Sequence, residues 1–217
     1  MIVVRLSGIL IVASGLSLSV SFAIAGEQDD VTYQALVQRV KGGDLSIDFR
    51  LLRLACVRSS LCEPRGTKAD LGAMNRAVAD HQPSKVVEIV ERLVEQGYVN
   101  LEAHATAVQA YTQLNESVKA KFHLDVATAL MRSIMSTGDG KNKESAFEVI
   151  CDREEYDVLT SLGLPYFGSG VVSVHTVQDG SHAYDRWEVQ NPKTGQNAVV
   201  FFNIDQFSTS KSLVTDR

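Results

Sequence analysis

The chain contains no H-E-x-x-H, no G-x-S-x-G, no C-x-x-C and no G-x-x-x-x-G-K-[ST]. These absences remove the signatures of zinc peptidases, nucleophile-elbow hydrolases, thiol-redox or zinc sites and phosphate-cradling loops. Basic clusters interleaved with aromatics are missing too. Nucleic acid is therefore not an expected partner, since sequence-independent phosphate binding is built from clustered Lys and Arg. With 21 Lys+Arg against 26 Asp+Glu the formal net charge is −5, a modest excess that serves solubility and requires no special partner. Three cysteines are an odd number and define no disulfide framework. A hydrophobic content of 45% is ordinary for a folded chain and argues against disorder.

What is present begins with an address. Arg5 is the sole charge before Glu27, and an apolar stretch from Leu6 to Ile24 separates them, closing on Ala23-Ile24-Ala25. A positive start, an apolar centre and a small-x-small ending form the secretory signature, so residues 1–25 are expected to be a signal peptide cleaved near Ala25-Gly26. The alternative is a membrane anchor, which the interspersed Ser and Gly weaken because each polar group costs free energy in hydrocarbon. No cysteine follows the small residues, which speaks against a lipid anchor, and no later segment reads as a span. The mature protein is expected in the periplasm or outside the cell.

The remainder changes periodicity once. Residues 26–140 follow the 3.6-residue period and are expected to form antiparallel helical hairpins. Tyr33, Leu36, Val37 and Val40 share a face, and Asp48 can cap a helix from Phe49 to Arg58 with Leu51, Leu52 and Ala55 inward. Helices follow over Ala69–His81, Ser84–Gln96 (closed by Gly97), Leu101–Leu114 and Glu116–Thr137, with Asn115 as a turn. Gly138 is placed to end the long helix, and Asp139-Gly140 to turn the chain. Residues 141–207 read as a small unit: a strand over Ser145–Cys151, a short helix over Glu154–Leu162, then an antiparallel β-meander over Gly170–Val177, Tyr184–Val189 and Asn197–Ile204. The fold class is thus α+β, with a polar tail over 208–217.

Three groups of residues could carry chemistry. His104 aligns with Ala107 and Tyr111, and His123 with Ala120, Ala127 and Leu130, so both rings point into apolar faces. Paired about Asn115, they lie within roughly one helical turn of the same height. Two inward histidines could bind a metal or share a proton; buried histidines are also commonly satisfied by a carbonyl or carboxylate. The string from Asp152 to Asp157 includes Glu155, a candidate acid–base carboxylate, although acidic residues also suit a helix's first turn. Cys56 and Cys62 are within reach of a bridge if the helix ends near Ser59; otherwise Cys56 and Cys151 are small buried hydrophobes.

The window from Leu101, with Ala107, Tyr111, Ala120 and Ala127, resembles a tetratricopeptide repeat, departing from it at His104 and Val108. A longer likeness rests on Ser136-Thr137-Gly138-Asp139-Gly140-Lys141, Ala146 to Ile150, Glu154 to Leu159 with Tyr156, Gly163, Tyr184-Asp185 and Phe201-Phe202-Asn203. This order of motifs resembles the bacterial exported family called domain of unknown function 4919. The resemblance implies a repeat-like helical region ahead of these motifs and supplies no activity, cofactor or catalytic residue. Two functions stay open. One is a non-catalytic module that binds an envelope protein or peptide. The other is a metal-dependent or acid–base hydrolase using His104 and His123 with Glu155 or Asp139.

Overall fold

The structure is a computed structural model that describes the backbone of residues 16–208 and the side chains of residues 27–208. The expected signal segment falls largely on residues 1–15, outside the described residues, and the expected tail lies beyond residue 208. Helix α1, Leu16–Lys41, runs through the Ala25-Gly26 junction. It is followed by α2 (Phe49–Arg58), α3 (Lys68–Ala79), α4 (Pro83–Gln96), α5 (Leu101–Gln113) and α6 (Ser117–Met135). Then come β1 (Phe147–Glu148), α7 (Asp152–Ser161), β2 (Val171–Asp179), β3 (His182–Gln190) and β4 (Asn197–Asn203). The fold is α+β. Among the described residues no helix is long and apolar enough to cross a membrane.

Local chemistry fixes the helix boundaries. Asp48, Thr67 and Asn100 each accept a bond from a backbone N–H of the first turn of α2, α3 and α5, satisfying donors that a helix leaves orphaned. Pro83 opens α4, where its missing N–H costs nothing. Asn115 takes φ +60° between α5 and α6, a conformation that Asn tolerates better than most residues. Val86, Ile89, Val90, Leu93 and Val94 form the buried stripe of α4. They join Val40, Leu52, Met74, Ala103, Ala107, Val126 and Leu130 in a helical core. A second core lies under the sheet around Phe147, Val158, Leu159, Trp187, Val189, Phe202 and Ile204. Helix α6 reaches both, through Leu130 in the first and Ile134 in the second.

The sheet order is β1-β4-β3-β2. β2, β3 and β4 form the antiparallel meander, and β1 runs parallel to β4 with Phe147 beside Phe202. Three sequence expectations need correction. The strand expected over Ser145–Cys151 shrinks to two residues. Ser145 O accepts from Asp139 N and Gly140 N, while Ile150 N donates to the Glu154 carboxylate, so neither end is free to extend the ladder. Gly138 does not end α6, which stops at Met135. Its role is close approach: a Cβ there would lie 2.1 Å from Ser145 O. Leu51, expected inward, is 44% exposed, because α2 buries Phe49, Leu52, Arg53 and Cys56, and Leu51 falls beside that stripe.

Arg53 is the unexpected member of the stripe. Its guanidinium grips Glu154 of α7 through two bonds of 2.7 and 2.6 Å and donates to Glu148 O of β1 at 2.7 Å. Both side chains are buried. Cys56, one turn further along α2, is bridged to Cys62, and Cys151 is a buried free thiol.

Removing one partner of a buried, hydrogen-bonded ion pair strands the other charge and typically costs about 3–5 kcal/mol. Arg53→Leu is therefore expected to lower unfolding free energy by that amount. The double variant Arg53→Met/Glu154→Leu should recover most of the loss. Urea unfolding followed by circular dichroism and Trp187 fluorescence measures both; equal destabilisation by single and double variants would contradict this account.

Candidate functional site

Helices α4, α5 and α6 all place polar groups against a shared interface. Glu91 comes from α4, His104 and Tyr111 from α5, and His123 from α6, with Tyr98 in the loop between α4 and α5. The sequence brings the histidines together for the reason read from it: small residues at Ala103, Ala107 and Ala120 are buried between the helices and allow close approach. His104 Nδ1 lies 3.0 Å from His123 Nδ1, and His104 Nε2 lies 3.0 Å from Tyr98 O. His123 Nε2 faces Glu91 Oε1 at 3.6 Å, an ion-pair distance. Tyr111 OH donates to the same oxygen, and its ring stacks on His123 at 5.5 Å.

The carbonyl of Tyr98 sets the direction of this chain. A carbonyl accepts only, so His104 Nε2 must carry hydrogen. Neutral His104 then presents a lone pair at Nδ1, and His123 Nδ1 must donate to it. With Nδ1 protonated, a neutral His123 would turn a lone pair toward the Glu91 carboxylate. A doubly protonated His123 instead donates to His104 and faces Glu91 with positive charge. His104 is fully buried; burial, reinforced by His123, pushes its pKa down to about 3. His123 pulls the Glu91 carboxyl down to about 2 against the effect of burial. Burial, then Glu91, holds the Tyr111 phenol protonated well above its usual range.

The exposed end of the network opens on a groove. A cavity of about 680 Å³ is lined by Glu91, Tyr98, Tyr111, Lys119, Phe122 and His123, among others. A second cavity of about 370 Å³, bordered by Tyr33, Gln34 and Leu61, shares Lys41, Val94, Glu95 and Tyr98 with it. The two form one furrow across α1, α4, α5 and α6. Val118 stands 82% exposed on its rim.

The other sequence candidates sit elsewhere. Glu155 is buried under the sheet, where it accepts a 2.6 Å bond from Trp187 Nε1. Asp139 holds its own loop, accepting from Lys141 N, Lys141 Nζ and Ser145 Oγ. Gly140 O accepts from Phe201 N. Tyr156 packs between Tyr166 and Trp187. Asn203 pairs beside Glu148 and donates to Asp205. Among the described residues no three His, Cys, Asp or Glu side chains converge as metal ligands. Sequence reading missed Glu91 and Tyr98. Glu91 was hidden by the apolar stripe of its helix, and Tyr98 contributes a backbone carbonyl that no residue type announces.

A family model matches residues 20–212, a span that contains the whole histidine network, the groove and the sheet. The chain belongs to the domain of unknown function 4919 family. No curated protein and no solved structure matches it. For this DUF4919 chain the functional reading therefore stands on the geometry of its own side chains.

Among the groups of the DUF4919 chain displaced from their ordinary pKa, Asp157 lies in the physiological range. Asp157 of α7 is raised to about 7 by burial first, then by Glu154 and Glu102, and its Oδ2 is buried without a hydrogen bond. Folded His104 binds its proton more weakly than an unfolded histidine at about 6.5, so its contribution to stability falls as pH drops below that value. Folded Asp157 binds its proton more tightly than an unfolded aspartate at about 3.9, so its contribution falls as pH rises toward 7. The slopes oppose each other between about pH 4.5 and 6.5. His104→Gln is expected to lose stability relative to wild type with rising pH in that window, and Asp157→Asn with falling pH, each by up to about 1.4 kcal/mol per unit. Urea unfolding across the window measures this; variant curves parallel to wild type would contradict it.

Proposed function

We propose that the protein is an exported, non-catalytic module that binds an extended peptide or protein segment in the furrow across α1, α4, α5 and α6. The carrying observation is the polar chain Tyr98–His104–His123–Glu91–Tyr111, buried at one end and opening into the furrow at the other. Buried polar groups are costly unless fully paired, and a fully paired network rigidifies the surface it supports. Here it fixes the floor of a groove whose rim offers Val118 and Phe122 to apolar side chains. Lys41, Lys119, Glu91 and Glu95 supply donors and acceptors for a peptide backbone. Export is supported by the composition of residues 1–25 and by the Cys56–Cys62 bridge, since disulfides persist in oxidising compartments.

An acid–base hydrolase would rely on the Glu91–His123 pair, which has the orientation of a carboxylate-supported base. Among the described residues no Ser, Thr or Cys side chain bonds to His123, and its ring is almost wholly enclosed. Binding is the better supported function.

Two outcomes are expected. Protein recovered from the cell envelope or medium should begin near Gly26 on N-terminal sequencing; a start at Met1 would count against export. Selection from a displayed peptide library should enrich segments that bind wild type and bind Val118→Glu at least about tenfold more weakly, with unchanged circular dichroism, because the substitution puts a charge on an apolar contact. No enrichment, or binding indifferent to Val118→Glu, would remove the furrow as the site.

A further inference from the structure

The two edges of the sheet are treated differently. At the β1 edge the strand is two residues long, and its outward groups are occupied: Glu148 N donates to Thr137 Oγ1 and Glu148 O accepts from Arg53. Arg50 adds an ion pair to the Glu148 side chain at 2.6 Å. Among the described residues nothing covers the β2 edge in this way. Among the described residues β2 pairs with β3 alone, so a row of N–H and C=O groups is presented outward along the regular stretch from Ser173 to Asp179, while Val171 N is taken by Gly168 O.

Edges are usually protected by short strands, by Lys, by Pro or by a bulge. β2 is long, and from Val171 to Gln178 it carries no Lys, Arg, Asp, Glu or Pro. Its irregularity is confined to Val171/Ser173, and Ser173 to Asp179 is in regular register. Val172 and Val174 are 54% and 41% exposed. Val174 lies across from Trp187. From Trp187 a chain of ring contacts runs through Tyr156 and Tyr166 to Phe167, which is 72% exposed. An open hydrogen-bonding edge flanked by exposed apolar side chains is a site for strand addition.

We propose that the added strand is β2 of a second copy, paired antiparallel about a twofold axis. The strand suits itself. With the axis at His175, its midpoint, Ser173 to Val177 of the two copies meet in regular register and the two irregular segments lie at opposite ends. The two Asp179 carboxylates, the acidic charges of the strand, are then held apart, so no like charges meet directly. Such an isologous contact closes on itself and leaves no further edge to propagate. The dimer carries two copies of the α1/α4–α6 furrow, so a ligand with two suitable segments gains avidity. The pairing itself does not depend on what the furrow binds.

Sedimentation velocity on the purified chain at micromolar concentration tests this. Wild type is expected as a dimer, and Val172→Lys/Val174→Lys as a monomer with unchanged circular dichroism and thermal midpoint. His175→Cys should form a disulfide-linked dimer on mild oxidation, in excess of Lys121→Cys, an exposed control on α6. A wild-type monomer, a dimer indifferent to the lysine pair, or crosslinking at His175→Cys no greater than the control would each overturn the proposal.

Discussion

The pair formed by Arg53 and Glu154 takes two charges out of water, a step that costs several kcal/mol per ion before any partner is counted. The structure offsets that cost by pairing the two ions through two bonds and giving one atom of each a second partner. Glu154 Oε2 also accepts from Ile150 N, and Arg53 Nη2 also donates to Glu148 O. Residues 101 positions apart in sequence are thereby joined, and α2, β1 and α7 are fixed at one point. The helical core and the sheet core meet at this point and along α6. The pair is one of several anchors of the loop 138–151, beside the bonds of Glu148 N to Thr137 and of Phe201 N to Gly140 O.

The same economy governs the histidine network. Both rings are buried, yet each nitrogen faces a partner: a carbonyl, another imidazole or a carboxylate. This order is possible because α4, α5 and α6 are linked by short turns that hold their faces in phase. Asn115 and the Gly97–Asn100 turn supply that phase. The furrow above the network is then a consequence of helix packing, with a floor whose polarity is set by a few buried groups.

Legibility in the sequence varied from residue to residue. His104 and His123 were visible as partners because helical periodicity and a turn of known position place them on facing surfaces. Caps at Asp48 and Asn100 were visible because the capping bond is local. Arg53 was not, because a basic residue on an apolar stripe reads as an exposed flank until its acidic partner is found far along the chain. The acidic start of α7 was readable as helix-dipole complementarity, yet Glu154 and Glu155 are both buried and bonded to distant side chains. Leu51 failed for the converse reason: periodicity allowed two neighbouring stripes on a short helix, and Arg53 decided between them.

Sequence alone determined the order of helices and strands, the α+β class, the caps at Asp48 and Asn100 and the meander, because each follows from hydrophobic period and from bonds within a few residues. The tertiary structure decided the parallel placement of β1, the ion pair that joins the cores and the alignment of Glu91 and Tyr98 with the histidines. Those features depend on distances between residues far apart in the chain. Such distances are set by the packing of whole elements, and no local pattern encodes them.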